Sequence, residues 1–192
     1  MTPNSTQEDS DGDGLGDACD PCTGGVPVQR PKLTLVRIAP PPGDDRLAFS
    51  GRVLLPVPYN PPLDPIHKGV RVMVTDSTHA AVVDASTATG FYDVGTGRGW
   101  KSNTSGWKYQ DRSGVGIVKV GLKLSRSAPG LIQFSVKARS GNWPVPASHL
   151  PVLGMLVIDA PNATTGECGN ADFSGPSPTC SFNGSESSLR CR

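Results

Sequence analysis

The chain has 192 residues, enough for one domain with a real core, and Gly and Pro together exceed a fifth of it against an apolar fraction of 36%. That balance suits a β protein with many turns and argues against a helical one. Charge is uneven: residues 1–22 hold six carboxylates and no Lys or Arg, a net of −6, while the remainder carries +7. The basic residues of that remainder are spread singly along the sequence, which argues against a nucleic-acid partner.

The chain opens on "QEDSDGDGLGDACDPC", six acidic residues in the thirteen positions from Glu8 to Asp20. Counted from Asp9, aspartate falls at loop positions 1, 3, 5, 9 and 12 (Asp9, Asp11, Asp13, Asp17, Asp20), with Gly14 at position 6 for the bend. Leu15, at position 7, offers only its backbone carbonyl. This is the spacing of a twelve-residue calcium loop, and the carboxylate count favours calcium over magnesium, which usually keeps more of its waters. An EF-hand is excluded, because "MTPNSTQE" and "PCTGGVP" cannot supply the two flanking helices. Gly16 at position 8 and Asp rather than Glu at position 12 weigh against that motif and against a dockerin.

"TGGVPVQRP" (23–31) reads as a linker, and strands begin after it. "KLTLVRIA" (32–39) is the first. "RLAFSGRVLL" (46–55) puts Leu47, Phe49, Gly51, Val53 and Leu55 on one face, and "PVPYNPPLDP" (56–65) is irregular. "GVRVMVTD" (69–76) points Val70, Val72 and Val74 inward with Arg71 and Met73 outward, and "AAVVDA" (80–85) is its hairpin partner. "VGIVKVGLKL" (115–124) places Val118, Val120, Leu122 and Leu124 on one side. "LIQFSVKAR" (131–139) does the same with Ile132, Phe134, Val136 and Ala138, across the turn "APG". "VLGMLVID" (152–159) closes the main body, and Asn183–Gly184 marks a C-terminal hairpin. No stretch sustains a helical apolar period. The predicted class is all-β, an antiparallel β-sandwich with a short acidic loop before it and a disulfide-stapled hairpin at its end.

Cys19 and Cys22 lie near the start and Cys168, Cys180 and Cys191 near the end. Such marginal clusters read as disulfide staples of an oxidising compartment, the odd count leaving one thiol free or paired outside the chain. Cys180–Cys191 or Cys168–Cys180 is the expected C-terminal bridge, because the short loops bring those residues close. For Cys19 and Cys22 the choices are each other, a partner upstream, or the body. No apolar run could span a membrane and no signal peptide is present. Met1 leads straight into the acidic segment, so the expectation is a fragment of a larger exported protein, secreted or at the cell surface, whose signal lies upstream.

"DSDGDGLGDACDPC", with the degraded lead-in "PNSTQED", resembles a thrombospondin type-3 repeat over residues 3–22. The resemblance implies that Asp9, Asp11, Asp13, Asp17 and Asp20 ligate calcium, with Leu15 adding a carbonyl, and that Cys19 is the repeat's cysteine. That family strings several repeats together; here there is one. More weakly, "GVRVMVTDSTHAAVVDA", "GWKSNTSGWKYQDRSG" and "IQFSVKARSG" resemble β-sandwich modules of large exported proteins of soil bacteria. That resemblance implies a fold and an address but no chemistry.

Catalytic signals are sparse. His67, His79 and His149 sit far apart without zinc-ligand spacing, and Cys19-x-x-Cys22 precedes Gly-Gly rather than a helix that would lower a thiol pKa. Asp76, Asp84 and Asp93 with Tyr92 could be drawn as a glycosidase cluster, although aspartates at strand ends more often cap turns. Trp100, Trp107 and Tyr109 suggest a carbohydrate-stacking platform, against the weightier reading that one or two of them fill the core; Trp143 lies at a loop surface or packs on the sheet. Asn4, Asn103, Asn162 and Asn183 open glycosylation triplets that matter only in a eukaryotic secretory setting.

The sequence is thus expected to fold as a calcium loop (1–22), a linker (23–31) and a sandwich (32–192). The expected function is a non-enzymatic, exported, calcium-binding structural or adhesive module. Its partners would be calcium and an extracellular polysaccharide or surface protein, with no nucleic acid and no membrane insertion. A carbohydrate-binding sandwich is the alternative, and a glycoside hydrolase the weaker third.

Overall fold

The computed structural model describes residues 8–10, 12, 16–17, 20–163 and 167–192. Among the described residues thirteen strands form two sheets. The first sheet runs β1 (Val26–Pro27), β11 (Cys168–Asp172), β10 (Leu153–Ile158), β4 (Val70–Thr75), β5 (Ala81–Ser86). The second runs β12 (Cys180–Phe182), β13 (Ser188–Cys191), β2 (Gln29–Val36), β3 (Asp45–Leu54), β9 (Leu131–Gly141), β8 (Gly116–Leu124), β7 (Gly106–Asp111), β6 (Arg98–Asn103). Among the described residues these strands pair antiparallel except β1–β11, where the chain enters the first sheet alongside a late strand. A short helix α1 (Pro65–Lys68) follows the proline-rich stretch; Asp64 caps it and Pro65 sits where a missing N–H costs nothing.

The alternation read from sequence builds the core. Leu47, Phe49, Val53 and Leu55 of the β3 stretch meet Ile132, Phe134, Val136 and Ala138 of β9, all buried. Phe49 and Phe134 pack edge to face with ring centroids 5.0 Å apart. Val70, Val72, Val74, Leu156 and Ile158 close the core from the smaller sheet. Burying each such side chain contributes about 1.5–3 kcal/mol.

Four expectations need correction. The 23–31 stretch is not a spacer: it carries β1 and the opening of β2. Met73 does not face solvent, because the outer side of the smaller sheet is itself covered. Cys22, Met73, Met155, Val157, Ala163 and Cys168 form a second apolar cluster there, and the Ala163 N–H donates to the Pro21 carbonyl at 2.8 Å. Third, the β8–β9 register shifts between Ile117 and Lys119, so Ile117 rather than Val118 joins the main core. A bulge of this kind reverses the facing of the residues on one side of it. Finally, β10 does not close the body, since the short β11 pairs beyond it.

Two disulfides staple the sandwich, Cys22–Cys168 and Cys180–Cys191. The second joins directly paired residues of the β12–β13 hairpin, the first of the two C-terminal bridges expected. For Cys22 the body is the partner. Cys19 lies outside the described residues.

Candidate functional site

Among the candidate calcium ligands Asp9, Asp17 and Asp20 are described, while Asp11, Asp13 and Leu15 lie outside the described residues. The segment folds back on itself. Ser10 donates its N–H and hydroxyl to the Asp17 carboxylate at 2.9 and 2.6 Å, and the Asp17 N–H returns to the Glu8 carbonyl at 2.7 Å. The Ser10 hydroxyl, and then its N–H, hold the Asp17 carboxyl below its ordinary range. Asp9 accepts from the Gly12 N–H at 2.8 Å. Asp20 is buried and accepts from the Cys22 N–H at 2.7 Å, two residues from where the bridge fixes the chain to β11. Among the described residues no group of three or more His, Cys, Asp or Glu side chains could hold a metal ion. A hollow of about 630 Å³ lies beside Gly12, lined also by Val28, Asp76, His79 and Asp172.

The aromatic set is largely interior. Trp100 is fully buried and stands directly across from Tyr109 on β7, ring centroids 5.2 Å apart. The indole N–H donates to the Ala88 carbonyl at 3.0 Å, and the Tyr109 hydroxyl accepts from the Ala88 N–H at 3.3 Å. Burial raises the Tyr109 pKa. Trp107 is half-buried against the same core, and Trp143 is buried too. A stacking platform of Trp100, Trp107 and Tyr109 is therefore absent. The polar tips of Trp100 and Tyr109 find backbone partners inside, which leaves the half-buried Trp107 as a lone ring at a surface hollow beside Lys101 and Lys108.

The aspartates of the glycosidase drawing are each engaged locally. Asp84 pairs with Arg71 at 2.7 Å, and Asp93 accepts from the Gly95 N–H at 2.8 Å in its turn. Asp76 accepts from the Thr78 N–H, the Thr78 hydroxyl and the Ala80 N–H, and its other oxygen lies 2.7 Å from His149 Nδ1. Burial alone would raise the Asp76 carboxyl, but the Thr78 hydroxyl and His149 outweigh it and bring its pKa to about 2. His67 is held by Asp64 at the start of α1.

A further buried carboxylate carries no signal in the sequence. Asp159 accepts the Asp64 N–H on both oxygens at 2.9 and 2.8 Å and lies 3.7 Å from the Lys68 ammonium. Burial raises its pKa even so. It pins α1 to the end of β10. A lone "VID" at a strand end gives no signal of such a partner 95 residues away.

No protein-family model, curated protein or solved structure matches the chain. No helix among the described residues is long and apolar enough to cross a membrane, and two disulfides suit an oxidising environment.

Proposed function

We propose that the protein is an exported, non-enzymatic structural module whose acidic segment binds calcium and whose sandwich is the rigid body to which that segment is clamped. The observation that carries this reading is the Cys22–Cys168 bridge, which fixes the C-terminal end of the acidic segment onto the outer face of the smaller sheet. The segment then acts as a clasp on the sandwich rather than a stalk swinging from a linker. Its donors are all oxygen, the set a hard divalent cation takes. The charge of the segment, −6 over 22 residues, opposes folding unless a cation offsets it. Asp9, Asp11, Asp13, Asp17 and Asp20 with the Leu15 carbonyl are the proposed ligands, as in the thrombospondin type-3 repeat the segment resembles. The two disulfides and that resemblance support secretion or display at the cell surface.

Calorimetric titration of the intact chain tests it. Calcium should bind with at least one site, magnesium more weakly, and Asp9→Asn/Asp17→Asn should abolish the heat. A wild-type chain that takes up no calcium ends the proposal.

A further inference from the structure

Lysines and arginines that are scattered in sequence come together in the fold. On the outer face of the larger sheet, cross-strand neighbours line up in rows perpendicular to the strands. One row reads Lys101, Lys108, Gly121, Ser135, Ser50, Lys32 across β6, β7, β8, β9, β3 and β2. The row on one side of it contains Lys119 facing Lys137, and the row on the other contains Lys123, Gln133 and Arg52. Beyond Lys137, Arg139 faces Arg46. No Asp or Glu stands in these rows, and among the described residues none of these lysines or arginines is ion-paired.

The middle of the first row is floored by small residues, and a Cβ added at Gly121 would meet Ser135 Oγ at 3.2 Å. Two hollows of about 550 and 520 Å³ share Lys101, Lys108, Gly121 and Ser135, and a third of about 630 Å³ continues them past Lys123 and Gln133 toward Arg52. The result is a trough across five strands, about 19 Å long at the usual strand spacing, with cationic rims, a hydroxyl- and amide-bearing floor, and Lys32 in line beyond its end. Like charges directly opposite one another cost stability. Lys101–Lys108, Lys119–Lys137 and Arg46–Arg139 are three such pairs on one face.

We propose that this trough binds a linear anionic polysaccharide, carboxylated or sulfated, lying across the strands. A polyanion relieves the three like-charge pairs together, and the Ser and Gln floor offers hydrogen bonds to ring hydroxyls. Single-stranded nucleic acid is the poorer occupant. It is held by successive aromatic platforms, whereas here Trp100 is buried, Trp107 is a single half-buried ring at one hollow, and the Tyr92 ring is capped by Lys101 Nζ at 4.0 Å. The site is independent of the acidic segment and of calcium.

Fluorescence anisotropy with labelled heparin, polygalacturonate, neutral dextran and single-stranded DNA tests it, at 50 and 200 mM salt with calcium absent. Both polyanionic glycans should bind, with affinity falling steeply with salt, and dextran should not bind. Lys119→Gln/Lys137→Gln should weaken glycan binding at least fivefold. The charge-matched control Ala81→Glu/Ser86→Glu, exposed on the edge strand of the other sheet, should stay within twofold. Failure of both glycans to bind, equal loss in the control, or DNA bound more tightly than either glycan at the same salt overturns the proposal. So does self-association of the protein that the lysine double variant abolishes, since the occupant would then be the acidic segment of a second copy.

Discussion

Cys22 and Cys168 are joined by a bridge that spans 146 residues of sequence, whereas Cys180 and Cys191 span 11. Both bridges restrict the unfolded chain, but the entropy removed grows with the logarithm of loop length. Cys22→Ala/Cys168→Ala should therefore cost about 2 kcal/mol more in urea unfolding than Cys180→Ala/Cys191→Ala. The long-range variant should also become open to protease around residues 20–25, where the second apolar cluster loses its anchor. Equal losses in the two variants would show that unfolded-state entropy is not what the long bridge contributes.

Asp76 gives the fold an acid-sensitive joint. Its pKa of about 2 lies below the ordinary carboxylate value, because the Thr78 hydroxyl, His149 and two backbone N–H groups outweigh the burial that would raise it. A depressed carboxylate stabilises fully above its unfolded pKa, near 4, and loses that contribution as pH falls toward 2. Wild-type stability should decline across that window. Asp76→Asn should flatten the decline and lower neutral-pH stability by on the order of 1–2 kcal/mol. Urea midpoints at pH 2.5, 4 and 7 for both proteins measure it, and parallel pH curves would refute the assignment.

Trp100→Ala should cost about 3–5 kcal/mol, because it empties a fully buried site against Tyr109 and strips the Ala88 carbonyl of its donor. Trp107→Ala, at a half-buried position, should cost less than half as much. Thermal denaturation of the two variants decides this. A Trp107 loss equal to that of Trp100 would mean that both indoles are interior anchors.

The strands that were legible are those with one wet and one dry face. In β3 and β9 strict alternation fixes which residues go in, and Leu47 through Leu55 and Ile132 through Ala138 lie as that period dictates. Met73 lies on the outward face that the alternation gives it but is buried there, because its strand is covered on both faces. The cover arrives from Cys22 and Ala163, far away in sequence, and a period-two pattern cannot register it. The bulge in β8 exchanged Ile117 for Val118, since the pattern carries no sign of an extra residue. For the aromatic set, side-chain type was readable and facing was not. Trp100 and Tyr109 became a pair only once β6 and β7 were in register. The basic trough was invisible for the same reason: residues spread singly along the chain are gathered by five strands whose order no local pattern specifies.

Lys119 and Lys137 face each other on neighbouring strands, so each raises the cost of the other in the free protein. Lys137→Glu should turn that repulsion into an attraction and raise stability by about 0.2–1 kcal/mol at low ionic strength. The gain should shrink near 1 M salt, where the screening length drops to about 3 Å. Urea unfolding at 20 mM and 1 M salt measures both effects. A variant no more stable than wild type at 20 mM would mean that the lysines already splay apart into water. In that case relief of their repulsion would contribute nothing to binding, and attraction to the anion would have to supply all of it.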